Sequence, residues 1–152
     1  MASEAARALL AGALTLVLAF ATLTWQTIRL PRHAPSRVIA ELRLAQAGAV
    51  LLAFSAAFLA GMATAAGGPV AALDMACAVL LAGVALMTLV RDARAALGWL
   101  AAAFVTRAAL DALHLSGWLP GVAPAAVLSG SIVVNLLAAG CCGLPLRRGA
   151  WR

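Results

Sequence analysis

The chain has 152 residues, of which 65% are hydrophobic and 11% charged, and its mean hydropathy is +1.04. A water-soluble domain carries about half apolar and about a quarter charged residues, so this composition excludes an ordinary soluble globule. The net charge of +6 comes from eleven basic residues, all arginine, set in short clusters between apolar runs; that spacing marks membrane topology and argues against a nucleic-acid-binding face.

A hydrocarbon core about 30 Å thick takes a helix of about 20 apolar residues. The first such run covers residues 8–28, interrupted only by Thr15, Thr22, Thr24 and Gln26, with Ser3 as its expected N-cap. A second follows the expected N-cap Ser36, spans about 42–66 and ends at Gly67-Gly68. The third covers 69–90 and opens on Pro69, a residue suited to a first helical turn. Behind the Arg91-Asp92-Ala93-Arg94 turn, a fourth covers 95–115 and closes at Gly117-Trp118-Leu119-Pro120. The fifth covers 121–144, with Pro124 in its first turn and Pro145 plus two arginines as its stop.

The expected fold is therefore all-α, a polytopic transmembrane helix bundle of five spans forming a single domain over residues 1–152. A four-span form would result if Ala19-Phe20-Ala21 were a signal-peptide cleavage site, but cleavage would leave the basic clusters outside. Arginine resists translocation, so basic loops stay in the cytoplasm. Arg29, Arg32, Arg37 and Arg43 follow the first span, Arg91 and Arg94 the third, and Arg147, Arg148 and Arg152 the fifth. The expected placement is the inner membrane, N-terminus outside and C-terminus inside; only Arg7 dissents.

Helices in lipid associate through small residues and polar contacts. Ala45, Ala49, Ala53, Ala57, Gly61 and Ala65 recur at every fourth position of the second span and predict a packing seam, within the bundle or between subunits. Trp25, Trp99, Trp118 and Trp151 fall near expected membrane boundaries, where amphipathic rings anchor. Cys77, Cys141 and Cys142 form neither a CxxC pair nor a Cys/His framework, which argues against a zinc site or a disulfide scaffold.

One constellation invites chemistry. In span four, Arg107, Asp111 and His114 lie four and three residues apart, within about 60° of one helical face. Asp74, in the first turns of span three, comes out at a similar depth, Trp118 extends the stripe, and Asn135 of span five is within reach of a long arginine side chain. A charge near mid-membrane costs roughly 2.5–3.5 kcal/mol, so these groups must pair, face the bundle interior or reach water. Structurally, Arg107 and Asp111 neutralise each other; functionally, Asp74, Arg107, Asp111 and His114 line a polar vestibule open to the outside.

The inventory argues against several cofactor sites. A bis-histidine haem needs two intramembrane histidines, whereas His33 lies in a connection; a di-iron site needs paired Glu-x-x-His motifs, and only Asp111-x-x-His114 occurs. No cofactor and no metal is expected. The sequence leans towards a non-enzymatic accessory or assembly module acting through its helix faces, with the lipid bilayer and a homo-oligomer or larger membrane complex as partners. A small homo-oligomeric transporter or channel using the polar stripe is the alternative, and a quinone- or lipid-binding subunit the third.

Overall fold

The apolar runs fold as helices. A computed structural model describes residues 2–31 and 33–147, with the backbone alone for residues 2–11, 13 and 14. The expectations for Arg32, Arg148, Trp151 and Arg152, and for the side chains of Ser3 and Arg7, lie outside what is described. Among the described residues the chain is all helical: α1 (Ala2–Arg29), α2 (Pro35–Ala66), α3 (Gly68–Leu89), α4 (Ala93–Leu115) and α5 (Ala125–Arg147). Four of them, α2 to α5, are long and apolar enough to cross a membrane.

α1 begins at Ala2, earlier than the expected residue 8, and two further helix starts differ from the sequence reading because of proline. α2 starts at Pro35, whose fixed φ suits a first turn, and Ala34 before it is extended (φ −74°, ψ 129°) as a residue preceding proline prefers. Ser36 is thus inside the helix and not its cap, and Arg37 and Glu41 ride on α2 instead of lying in a connection. α5 starts at Ala125, because the Pro124 carbonyl accepts from the N–H groups of Val127 (2.9 Å) and Leu128 (3.1 Å) and residues 121–124 remain loop.

Pro145 does not stop α5, which runs on to Arg147. Proline lacks the N–H that would bond the carbonyl four residues back, here that of Cys141. Thr24 of α1 lies against that carbonyl: its hydroxyl donates to Phe20 O of its own helix (3.0 Å) and, more weakly, to Cys141 O (3.4 Å). The defect in α5 thereby becomes a docking point for α1.

Small residues fill much of the interior around large ones such as Leu44, Leu52, Leu97, Leu100 and Phe104, and large aliphatic side chains face outward, as expected where lipid and core are equally apolar. Ala45, Ala49, Ala78, Ala85, Ala96 and Ala138 are buried, while Val79, Leu80, Leu86, Val105 and Val133 are more than half exposed. α2 touches all four other helices, α3 most extensively; α4 packs on α2, α3 and, most extensively, α5; α1 packs on α2 and α5.

The every-fourth seam on α2 divides. Ala45 and Ala49 are buried in the bundle, whereas Ala53, Ala57, Gly61 and Ala65 face outward. Four residues turn a helix by about 400°, so a strict period of four drifts about 40° per step and walks off a face unless a step of three corrects it. The buried stripe of α2 instead runs through Leu44, Gly48, Leu52, Ala56, Leu59 and Ala63, at intervals of three and four that average close to a helical turn.

Candidate functional site

The stripe on α4 faces inward. Arg107 and Asp111 are buried, and the side chain of His114 is only 3% exposed. Arg107 Nη2 lies 2.9 Å from Asp111 Oδ1 on the next turn. The other carboxylate oxygen of Asp111 accepts from Ser131 Oγ of α5 at 2.6 Å, and Ser131 accepts from Asn135 Nδ2 at 2.9 Å. Asn135, expected within reach of Arg107, is instead linked to it through Ser131 and Asp111, and the chain of four side chains zips α4 to α5.

Asp74 enters from α3, fully buried, and accepts the backbone N–H of Val122 at 3.1 Å. That N–H is delivered by the α4–α5 loop. α4 ends in a Schellman turn: Gly117 (φ +76°) donates to His114 O at 3.1 Å and Trp118 to Leu113 O at 3.1 Å. The loop then returns over the bundle end, and Gly121 lies against the imidazole so closely that a Cβ there would be 2.9 Å from His114 Cγ and Nδ1. Absence of a side chain at residue 121 is what lets the loop seat Val122 on Asp74.

His114 Nε2 and Asp74 Oδ1 stand 3.7 Å apart, beyond hydrogen-bonding distance. Both atoms are buried without a hydrogen-bond partner among the described residues, as are Arg107 Nε and Nη1. Two carboxylates, one guanidinium and one imidazole sum to zero charge when a single proton resides on the Asp74–His114 pair. Unmet polar atoms are what this cluster offers chemically; its residues do not form a group able to hold a metal ion.

Sequence reading thus named five side chains that the fold brings together, Asp74, Arg107, Asp111, His114 and Asn135, and missed Ser131. The signal for Ser131 was available, since it precedes Asn135 by one turn on the same helix. Trp118, the sixth candidate, is 82% exposed beyond the helix end.

A second buried ion pair lies at the other end of the bundle. Arg37 Nε donates to Glu41 Oε1 at 2.9 Å and its Nη1 to Leu30 O at 3.1 Å, while Arg94 Nε of α4 stands 3.7 Å from Glu41 Oε2. Arg94 links the start of α4 to the start of α2, and Leu146 near the end of α5 packs by Gly98. Arg29, Arg37, Arg43, Arg91, Arg94 and Arg147 accordingly gather at one arginine-rich end, opposite the Asp74–His114 cluster.

Comparison of the chain with protein-family models, with curated proteins and with solved structures finds no match.

Proposed function

We propose that the chain is a small, non-enzymatic inner-membrane protein with five spans, α1 being the fifth, that serves as an accessory or assembly module through its outward helix faces. The gathering of arginines at one end supports an orientation with that end, and the C-terminus, in the cytoplasm. The observation that carries the role is the Arg107–Asp111 pair at 2.9 Å, with Asp111 also held by Ser131. An intramembrane guanidinium that meets its counter-ion one turn away on the same helix is neutralised inside the bundle, and the counter-ion's second oxygen, held by Ser131, ties α4 to α5. Interaction is then left to the outer surface, where Ala53, Ala57, Gly61 and Ala65 allow close backbone approach.

A specific observation favours a second reading, a homo-oligomeric transporter or channel: Asp74 Oδ1, His114 Nε2 and two Arg107 nitrogens lack hydrogen bonds among the described residues. One set of variants separates the two. Under the accessory reading, Arg107→Ala and Asp111→Ala each abolish accumulation in the membrane, the double variant restores it, and proteoliposomes of the unmodified chain pass no more protons than protein-free vesicles. Single variants that accumulate normally, together with a proton flux lost in Asp74→Asn, would replace it with the transporter reading.

A further inference from the structure

We propose that a groove on α4 at the arginine-rich end binds an acidic phospholipid, with an acyl chain along the groove and the headgroup phosphate on Arg91. The groove is shallow, about 250 Å³, and is lined by Ala95, Gly98, Trp99 and Ala102. Three small residues at helical spacing make its floor and the half-exposed indole of Trp99 makes its wall, so it opens toward lipid. The Arg91 guanidinium lies over that indole, 5.9 Å from the ring centroid, which places a cation where acyl chain gives way to headgroup.

Charge selects the lipid. Asp92, next to Arg91, is turned away to cap α4, accepting from the N–H groups of Arg94 (3.1 Å) and Ala95 (3.0 Å). Glu41 is held between Arg37 and Arg94. Among the described residues, then, both carboxylates of this end are engaged and none pairs with Arg91, whose charge is left for an anion. A zwitterionic headgroup brings no net charge to it; an anionic one does. The apolar groove leading from the cation makes the phosphate's carrier a lipid.

Quenching of Trp99 by brominated acyl chains tests this in full-length chain carrying Trp25→Phe, Trp118→Phe and Trp151→Phe. Brominated phosphatidylglycerol is expected to reach half-maximal quenching at about fivefold lower mole fraction than brominated phosphatidylcholine, the factor one arginine is worth at a membrane surface. Arg91→Ala should abolish that preference by removing the cation, and Gly98→Leu by filling the groove with Arg91 intact. Equal quenching by the two lipids overturns the proposal, as does a preference that survives Gly98→Leu. Displacement of the brominated lipid by millimolar inorganic phosphate would overturn the lipid assignment in favour of a phosphate site. Should Arg91→Ala fail to accumulate, the Gly98→Leu comparison decides alone.

Discussion

The two ends of the bundle carry the same local device in different settings. Each has an arginine followed one turn later by a carboxylate, Arg37–Glu41 on α2 and Arg107–Asp111 on α4, at the same 2.9 Å separation and with all four side chains at most 7% exposed. Neither pair owes its geometry to helix propensity, because an isolated helix prefers the acid first. What differs is the company. Asp111 is closed in by Ser131 and, beyond it, Asn135, whereas Glu41 faces Arg94, whose side chain is 54% exposed. One pair is sealed inside the bundle; the other opens toward the surface of the arginine-rich end, and burial alone does not reveal the difference.

Removing the carboxylate is the strongest way to break the comparison. Asp111→Ala leaves Arg107 buried with its remaining partners unmet, and breaking a buried pair from one side costs about 3–5 kcal/mol. Glu41→Ala leaves Arg37 its bond to Leu30 O and a short path for its guanidinium to the headgroup region, so the expected loss is about 1–2 kcal/mol. Accumulation in the membrane checks the order, Asp111→Ala being lost and Glu41→Ala retained, and thermal unfolding in detergent measures the loss in Glu41→Ala. Equal losses would mean that the arginine-rich end is as sealed as the other.

The third member of each group sharpens the contrast at smaller magnitude. Ser131→Ala deletes a 2.6 Å hydrogen bond to a buried carboxylate and should cost about 1.5–3 kcal/mol. Arg94→Ala removes a long, half-exposed contact at 3.7 Å and should stay within about 0.5 kcal/mol. The same unfolding assay, read as the ratio of the two shifts, tests whether Asp111 depends on α5 in a way that Glu41 does not depend on α4.

Much of this was legible in the residues and some was not, for identifiable reasons. Apolar runs as long as a bilayer is thick gave the helices, and the four-and-three spacing of Arg107, Asp111 and His114 gave their shared face. The Arg37–Glu41 pair was hidden because the apolar run of α2 begins later than α2 itself: Pro35 starts the helix in a polar stretch that hydropathy reads as connection. The seam turns outward beyond Ala49 because repetition at four is not helical periodicity. Neither the seating of Val122 on Asp74 nor the closeness of Gly121 to His114 could be read at all, since both depend on where a loop lands after a Schellman turn.

A small effect of another kind lies between the two ends, where α1 meets α5. Pro145 sits inside α5 and leaves the Cys141 carbonyl without its helical N–H, in a place where Cys142 is fully buried and water is scarce. Thr24 Oγ1, buried on α1, is 3.4 Å from that carbonyl while bonding Phe20 O more closely, so one hydroxyl proton is divided between two acceptors. Thr24→Val keeps the shape and removes the proton, which should cost about 0.6 kcal/mol, the average for an interhelical hydrogen bond in lipid. The informative readout is the companion variant Pro145→Ala, which restores the N–H to Cys141: in that background Thr24→Val should cost less, because the carbonyl no longer depends on α1. A loss that is unchanged by Pro145→Ala would show that Thr24 serves only its own helix and that α1 is held to α5 by packing alone.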